Sequence, residues 1–599
     1  MRAIALDFET YYDKSCTVKK LGNYGYTRHP DFDAYMISVS DGAQHWVGHP
    51  RDFNWDALEG ALLLAHNAAF DSSVCDALAE KQLAPVLSNP WQCTANLASY
   101  ISNRRSLKEA SEYLLDSKMS KVMRNTASGM TYEDFLAKGS WDDMCAYALK
   151  DAQNCFQLWD KFNCRWPAEE QYLSQHTMKM MRTGVAVDLE LLQEYIDVMI
   201  PEVLRLHGAL PWTAEGGLPT SPKSIAKQCE ASGIPVPPVR DRSEEMWDDW
   251  IATFSPDFPW VAQISEYRKA HKMLTALQSL LGRVRPDNRI ECQLKYWGGH
   301  TGRFSGEAGF NFQNMRSKPL ICEDGTEVDI RKLFVAAPGN KLVISDLAQI
   351  EPRVLSWCAG DMPFLKLLAT GMNVYEAHAR ITMNWQGGEL KAEDPAQYKL
   401  AKIRVLQLGY QSGAAKLRST VIRETGDVIT IERAQEIVDE FRAASPLITG
   451  LWERMDTAWR QSYREDYTTE LPNGRKLRYE MVQKRAKAGT MVNAAGVTVP
   501  VVRTQLTAEV GGYRYPFYGG KLVENCVQAI ARDVFVEGLA RLDRAGFEHV
   551  FHVHDEHVLE VPEETDLEEI RQLVAQPVEW LPGCPIDASV EATPHYKKG

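Results

Sequence analysis

Several apolar stretches of the chain end in, or surround, acidic residues. AIALDFET at the N-terminus and KLVISDLAQ around Asp346 are dominated by Ala, Ile, Leu and Val before their first carboxylate, which predicts β-strands. In FHVHDEHVLEV, residues 551–561, apolar positions alternate with histidines on both sides of Asp555 and Glu556. This pattern predicts two short strands joined by an acidic turn. Such a turn is either a common Asp-containing turn or a rigid strand end that offers a carboxylate to a metal ion.

Two further segments have helical spacing. In WDDMCAYALKD, Tyr147 and Asp151 are four residues apart and therefore share one helix face. In YKLAKIRVLQLGYQSG, Lys402, Leu406 and Tyr410 recur at the same interval and should line one face of a single helix. That face suits a triphosphate at the lysine and a base at the tyrosine. An amphipathic helix with a solvated lysine and a packed tyrosine would show the same spacing.

Composition limits the class of protein. The 599 residues exceed one hydrophobic core, so several domains are expected, and the 45% hydrophobic content suits a globular chain. No apolar run is long enough to span a bilayer, and the N-terminus lacks a signal-peptide pattern, so a cytosolic location is expected. The 12 scattered cysteines, without a C-x-x-C pair, favour buried free thiols. The net charge of −13 still allows a basic cleft for nucleic acid inside an acidic exterior.

The first 151 residues contain a set of polar residues at the ends of predicted elements. Two carboxylates share one face of the first strand, and the apolar stretch ALLLAHNAAFD runs as a second strand into an amide and a carboxylate. The set comprises Asp7, Glu9, Asn67, Asp71, Tyr147 and Asp151. Its carboxylates are about as many as two divalent cations need to clamp a scissile phosphate, and a nearby tyrosine can orient the attacking water.

The order of these residues resembles a known family. D-x-E, N-x-x-x-[FY]-D and Y-x-x-x-D follow one another here as in the DEDDy 3′–5′ exonucleases. The resemblance implies an RNase H-like α/β domain that hydrolyses the 3′-terminal nucleotide with two metal ions. The implied metal ligands are Asp7, Glu9, Asp71 and Asp151. Tyr147 would be catalytic as well, and Asn67 would contact DNA.

A second acidic set lies in the C-terminal half. Asp346 ends an apolar strand and is followed by helical spacing, so it lies at a strand-to-helix junction. Asp346 and Asp555 are two strand-end carboxylates that could meet in one sheet and hold two Mg²⁺ (or Mn²⁺) ions against a triphosphate, because these hard cations prefer oxygen ligands. Glu556 would be a weaker ligand or a support.

Three blocks around these residues resemble motifs A, B and C of the family A DNA polymerases, the DNA polymerase I type. They are D-x-x-Q-I-E-x-R from Asp346, K-x-x-x-L-x-x-x-Y from Lys402, and V-H-D-E at residues 553–556. GGHTGRFSGEAGFNFQN, residues 298–314, and GGKLVENCVQAIARD, residues 519–533, are similar to further segments of that family. The resemblance is to phage members. It implies a multi-domain α/β chain in which an RNase H-like exonuclease precedes a right-hand polymerase with an antiparallel palm sheet and helical fingers and thumb.

The polymerase resemblance also implies roles for single residues. The catalytic metals would be held by Asp346 and Asp555, with Glu556 as a further metal ligand. The incoming dNTP would meet Gln349, Glu351, Lys402, Leu406 and Tyr410. Of these, Glu351 would exclude the 2′-hydroxyl of ribonucleotides. Primer-template DNA would be contacted by Arg303, Asn525, Gln528 and His554.

The motif B helix departs from the family pattern. Family members often have an arginine one turn before the lysine, where this chain has Tyr398, and Leu406 replaces the family's aromatic residue. Lys402 alone would leave part of a triphosphate's charge unmatched. Lys399, three residues earlier on the same side of the helix, is expected to compensate, whereas Arg404 should point away.

Five segments follow from the resemblance. They are an exonuclease domain at 1–165, connector and thumb at 166–290, the first part of the palm at 291–360, fingers with a strand-containing insertion (481–514) at 361–514, and the second part of the palm at 515–599. Expected partners are primer-template DNA, dNTPs and replisome proteins such as a helicase, a primase and a single-strand-binding protein. A monomer that replicates phage DNA in the host cytoplasm, without a membrane partner, is expected.

Two alternative functions are open at this point. A pure exonuclease whose C-terminal region only grips DNA would not need the paired Asp346 and Asp555, or Glu351. A non-enzymatic replication scaffold would have broken metal-ligand sets, whereas both sets are complete in the sequence. Primer extension with and without dNTPs separates the three functions.

Overall fold

A mixed five-stranded sheet forms the centre of the N-terminal domain. The computed structural model describes residues 1–120, 122–237, 244–307, 309–492 and 498–597. The strands are β1 (Ala3–Thr10), β2 (Ala34–Ser40), β3 (His45–Gly48), β4 (Leu62–Ala65) and β5 (Trp91–Cys93). Their order is β3-β2-β1-β4-β5, with β1 antiparallel to β2 and parallel to β4. The helices are α1 (Val18–Thr27), α2 (Ala68–Glu80), α3 (Thr94–Ser102), α4 (Leu107–Leu114), α5 (Val122–Thr126), α6 (Tyr132–Ala137) and α7 (Trp141–Phe162). This is the RNase H-like arrangement that the sequence predicts.

The next segment is mainly helical, as expected for a connector and thumb. Its elements are α8 (Ala168–Thr183), β6 (Val185–Val187), α9 (Leu189–Gly208), α10 (Pro222–Ser232), α11 (Glu244–Phe254), α12 (Pro259–Leu281) and β7 (Arg289–Ile290). α9 and α12 pack against each other because both have apolar residues at helical spacing, for example Leu192, Ile196 and Met199 on α9. Their core continues into the palm through Leu342 and Val550.

The palm is an antiparallel four-stranded sheet, which confirms the expected architecture. Short strands lead into it: β8 (Leu294–Lys295), β9 (Ser305–Gly306), β10 (Leu320–Ile321), β11 (Glu327–Val328) and β12 (Phe334–Val335). The first palm strand and the helix after it are β13 (Asn340–Leu347) and α13 (Ile350–Ala359). The remaining palm elements are α21 (Gly519–Arg544), β18 (Glu548–Val553), β19 (Glu556–Pro562), α22 (Leu567–Ala575) and β20 (Ala588–Thr593). The sheet order is β18-β19-β13-β20, and α21 is buried beside α13 and α22.

The fingers are helical, but the motif B helix is not one continuous α-helix. The elements are α14 (Met362–Leu368), α15 (Val374–Thr382), α16 (Leu390–Glu393), α17 (Pro395–Ile403), a π-helical turn (Arg404–Leu408), α18 (Ala414–Thr425), α19 (Ile431–Ala444) and α20 (Pro446–Gln461). The wider π-turn rotates the residues that follow it, and Tyr410 lies beyond it in a turn. The expectation that Lys402, Leu406 and Tyr410 line one helix face is therefore wrong.

The predicted insertion does contain strands. A four-stranded antiparallel sheet comprises β14 (Tyr467–Glu470), β15 (Lys476–Val492), β16 (Thr498–Val510) and β17 (Tyr513–Pro516), in that order. Within the insertion predicted at 481–514, residues 493–497 lie outside the described residues. β15 and β16 pair along nearly their whole length, with a bulge between Glu480 and Gln483.

Two expectations from composition can be compared with the structure. None of the helices in the described ranges is both long and apolar enough to cross a membrane. The cysteines are free thiols and mostly buried, but Cys164 is exposed, so the expectation of burial fails there.

Candidate active sites

The N-terminal domain gathers three carboxylates at one point. Asp7 and Glu9 project from β1 and Asp151 from α7, and one oxygen of each lies within 4.8 Å of the others. Burial, followed by repulsion from neighbouring carboxylates, raises the pKa of Asp7 well above its usual value and that of Glu9 to about 8. A crowded all-oxygen set of this kind fits a hard divalent cation, whose charge would offset the repulsion.

Asp71 and Tyr147 border this cluster. Asp71 is not at a strand end, as the sequence indicated, but in the first turn of α2, because β4 ends before it. The backbone N–H of Phe8 donates a hydrogen bond to its Oδ1 at 3.3 Å, and burial raises its pKa to about 7. Burial and the Asp151 carboxylate raise the pKa of Tyr147. The Tyr147 hydroxyl also forms a hydrogen bond with the Asp151 side chain, which places it at the acidic cluster.

The carboxylate cluster opens into a cleft of about 840 Å³. Asn67, the N-cap residue of α2, lines this cleft. Lys19, Arg124 and Lys295 also line it and bring positive charge to its walls. The cleft thus has the size of a small-ligand site and the charge that attracts a phosphate backbone.

Two carboxylates meet at one end of the palm sheet, as the sequence predicts. Asp346 is near the end of β13, and Asp555 is in the short turn between β18 and β19. The backbone N–H of Leu347 donates to the carbonyl oxygen of Asp555 at 3.2 Å, which holds the two acidic residues side by side. Both side chains are partly exposed. Their oxygens fit hard divalent cations that must also remain accessible to a substrate phosphate.

Glu556 differs from these two residues in its environment. It pairs with Asp346 across the sheet but is only 2% exposed. The hydroxyl of Tyr596 donates to its Oε1 at 2.6 Å. This bond supports the role of a buried support for the turn more than that of a direct ligand, and metal ligation by Glu556 stays a prediction.

Gln313 holds the acidic turn in place. Its Nε2 donates to the carbonyl oxygen of His552 at 2.7 Å, and its Oε1 accepts the backbone N–H of His554 at 2.8 Å. His554 is exposed and has a positive φ of 55°, a conformation that needs such support in a residue other than glycine. Sequence analysis did not select Gln313, although it lies in the N-x-Q-N stretch of the segment quoted for residues 298–314.

Three residues selected from the sequence lie together beside the palm centre. Arg303 and Glu351, in the first turn of α13, form an ion pair. Burial, followed by the negative charge of Glu351, raises the pKa of Tyr410, which places the tyrosine near that carboxylate. Arg303, Glu351 and Tyr410, which are expected at the minor groove, the sugar and the base, therefore lie close together.

The helix α15 adds a tyrosine that sequence analysis did not select. The ring of Tyr375 packs edge-on against Tyr398 at a centroid distance of 5.5 Å. Burial, then Tyr398 and the carboxylates of Asp555 and Asp346, raise the pKa of Tyr375. Gln349 connects this helix to α13, because its Oε1 accepts the backbone N–H of Val374 at 2.9 Å.

The basic residues of the motif B region point in different directions. Lys399 and Lys402 are exposed on α17. Arg404 is only 2% exposed, and its Nη1 donates to Glu440 on α19 at 3.3 Å, so it points away as expected. Leu406 is exposed to 41%.

The palm helix α21 presents one of its two selected residues to solvent. Gln528 is partly exposed and donates to Glu524 at 3.3 Å. Asn525 is 7% exposed, and its Nδ2 donates to the hydroxyl of the fully buried Tyr479 at 3.0 Å. The DNA contact expected of Asn525 stays a prediction, although its Nδ2 is bonded inside the core.

Known DNA polymerases resemble the chain in sequence and in fold. The family model "DNA polymerase family A" matches residues 241–501, which include Asp346 and Lys402. A DNA polymerase of Bacillus phage SP02 is 25% identical over 668 aligned residues, which cover 100% of both chains. The thermostable DNA polymerase I of Thermus aquaticus is 24% identical over 56% of this chain and 35% of its own length.

Among solved structures, the POL domain of Pol1 from M. smegmatis in complex with DNA primer-template and dNTP has the same fold. Its TM-score is 0.64 at 16% identity, with 99% of this chain and 95% of that chain covered. The fold, the two palm carboxylates and the family match agree, and residues 241–501 match a domain of DNA polymerase family A.

Proposed function

We propose that the chain is a template-directed DNA polymerase that also removes nucleotides from the 3′ end of the primer, and that each reaction uses two Mg²⁺ or Mn²⁺ ions. The observation that carries this proposal is the presence of two separate carboxylate sets. One contains Asp346 and Asp555 in the palm, and the other contains Asp7, Glu9 and Asp151 in the N-terminal domain. Relatives named as DNA polymerases support the first activity. The second rests on the residues of this chain.

For extension, Asp346 and Asp555 would hold the cations. When bound, these cations neutralise the triphosphate and stabilise the charge that develops on the leaving pyrophosphate. Lys399 and Lys402 attract the same triphosphate from α17. Glu351, held by Arg303, limits the space beside the sugar, and Tyr410 supports the base.

For proofreading, Asp7, Glu9, Asp71 and Asp151 would hold the cations in the N-terminal cleft. The Tyr147 hydroxyl, kept protonated by its buried and acidic surroundings, orients the attacking water. Asn67 and the cations of the cleft wall hold the end of the primer strand.

The relatives also support a setting for these reactions. Polymerases of Bacillus phage SP02 and Mycobacterium phage D29 are among the similar proteins. We therefore propose replication of phage DNA in the host cytoplasm, by a monomer that works with a helicase, a primase and a single-strand-binding protein.

Primer extension with a 5′-labelled primer tests the proposed function. Asp7→Ala combined with Glu9→Ala should lower degradation of the primer without dNTPs at least about a thousandfold, and leave extension nearly intact. Asp555→Ala should do the reverse. Loss of both reactions in either variant would contradict two independent centres, and degradation without any extension in the wild type would favour a pure exonuclease.

A further inference from the structure

The hairpin of β15 and β16 differs in charge from the rest of the molecule. Between residues 481 and 508 the sequence has the basic residues Lys484, Arg485, Lys487 and Arg503 and no Asp or Glu, in a chain of net charge −13. Residues 483–489 and 501–506 are called the basic arm here. Because the arm has no acid of its own, its positive charge is available to a partner.

Three of these cations share one face of the arm. Lys487 lies directly opposite Arg503 in the ladder, and Arg485 is two residues along the same strand from Lys487. Like charges opposite each other destabilise a strand pair. A bound polyanion would remove this repulsion.

The basic arm projects from the molecule. Residues 483–489 are all exposed, so neither face of that strand is covered. β14 and β17 pair only with the base of the hairpin. Among the residues that the structure describes, β15 and β16 therefore continue beyond them without further neighbours in the sheet. A two-stranded hairpin is only marginally stable in water, and ten residues of strand extend roughly 30 Å. The arm thus offers a long, unpartnered surface.

The base of the arm is fixed next to the palm centre. Arg104 of the N-terminal domain donates to Glu480 at 3.1 Å and so neutralises an acid of the base. Arg475, which precedes β15, donates to the carbonyl oxygen of Thr301 at 3.1 Å, two residues before Arg303. The arm therefore starts beside the loop that carries Arg303 into the polymerase site.

Aromatic residues surround this base. Tyr513 and Tyr515 on β17 are 62% and 49% exposed. A cleft of about 440 Å³ between the base and the N-terminal domain is lined in part by Tyr100, Tyr113 and Trp297. Exposed rings beside cations suit unstacked bases, which a duplex does not offer, and a cleft of this volume suits a nucleotide-sized group.

We propose that the basic arm, together with Tyr513 and Tyr515, binds the single-stranded template ahead of the polymerase centre. Arg485, Lys487 and Arg503 contact its phosphates, and the tyrosines stack on its bases. The inference rests on the proposed polymerase function, because it requires a template strand at the palm.

The test measures how binding depends on the length of the template overhang. Full-length protein is titrated in EDTA, which prevents degradation, with fluorescent primer-templates whose 5′ overhang is about two or about sixteen nucleotides. The arm variant is Arg485→Gln/Lys487→Gln/Arg503→Gln. The matched control, Lys138→Gln/Lys150→Gln/Lys161→Gln, removes the same charge from exposed lysines of the N-terminal domain. A second variant is Tyr513→Ser/Tyr515→Ser.

The wild type and the control should bind the long overhang more tightly than the short one. The arm variant should lose about tenfold or more in affinity for the long overhang, and the salt slope for that DNA should fall by about two, because each contact with a single strand contributes roughly 0.7. The tyrosine variant should lose about fivefold or more. Unchanged binding of the short overhang and unchanged single-nucleotide incorporation on it would show that the variants are folded.

Two results would overturn the inference. Equal losses on both overhangs would mean that the arm grips duplex DNA, and no loss on either would mean that it does not contact the template. A wild type that fails to bind even the short-overhang DNA would instead refute the proposed polymerase function.

Discussion

Removal of a single lysine from the motif B helix tests how the fingers bind the triphosphate. Lys399 is exposed on α17, three residues before Lys402, so both can reach one anion from the same side. A hydrogen bond to a charged group contributes about 1.5–3 kcal/mol, and the lower end suits an exposed side chain. Because about 1.4 kcal/mol corresponds to a factor of ten, Lys399→Ala should raise the KM for dNTPs about tenfold and leave kcat nearly unchanged.

Lys402 should behave differently from Lys399. Charge on the leaving pyrophosphate grows in the transition state, so a lysine that contacts it contributes most at that moment. Lys402→Ala should therefore lower kcat as well as raise KM. Steady-state kinetics of single-nucleotide incorporation, in a background with Asp7→Ala and Glu9→Ala, separate the two effects.

Arg404 provides the control for this series. It is 2% exposed and bonded to Glu440, so it cannot reach the substrate without unfolding its surroundings. Arg404→Met keeps much of the buried volume and should change the KM for dNTPs by less than about twofold. A larger KM defect at Arg404 than at Lys399 would refute the assignment of the lysines to the triphosphate side of the helix.

Three further predictions follow from the polymerase half of the chain. Glu351→Ala should raise the use of ribonucleotides relative to deoxyribonucleotides, and an unchanged ratio of kcat/KM values would contradict its steric role. Gln313→Ala removes both hydrogen bonds that hold the acidic turn. At about 1 kcal/mol per bond, kcat should fall about thirtyfold with little change in the KM for dNTPs. Burial lowers the pKa of His378 to about 3. Between pH 6.5 and that value, only the unfolded chain binds a proton at this histidine. The free energy of unfolding should therefore fall by about 1.4 kcal/mol for each pH unit below 6.5. Urea titrations from pH 7 to 5 measure this loss of unfolding free energy. His378→Gln should reduce it, whereas His271→Gln, at an exposed histidine, should not. Equal pH slopes in the wild type and both variants would contradict the assignment of the loss to His378.

The strands and their terminal carboxylates could be predicted because they depend on local pattern. An apolar run that ends in an acid, such as the one before Asp346, must place that acid near the edge of a sheet wherever the strand is packed. The position of Asp555 could be predicted in the same way, because a hairpin places its turn at the edge of the sheet. The family resemblance implies an antiparallel palm sheet, and this is enough to predict that the two strands pair.

Residues whose role depends on packing could not be predicted in this way. Asn525 lies on a helix that is buried on most sides, and only the position of Tyr479 decides that its amide faces the core. The segment that follows the π-turn depends on tertiary structure as well, because a side chain at Gly409 would approach Leu355 of α13 to 2.7 Å. Neither feature changes the hydrophobic period by enough to be visible in one sequence.

Net charge was the least informative property of the sequence, and the structure shows the physical reason. Carboxylates are concentrated in the two proposed centres, and burial followed by neighbouring carboxylates raises the pKa values of Asp7 and Glu9. Positive charge lies on the walls of the N-terminal cleft, around one of these centres, and on the basic arm. Electrostatic interactions between exposed charges are screened beyond about 8–10 Å at physiological salt. DNA near the arm therefore responds to the local cations and not to the sum over the chain, so an acidic protein can bind a polyanion without contradiction.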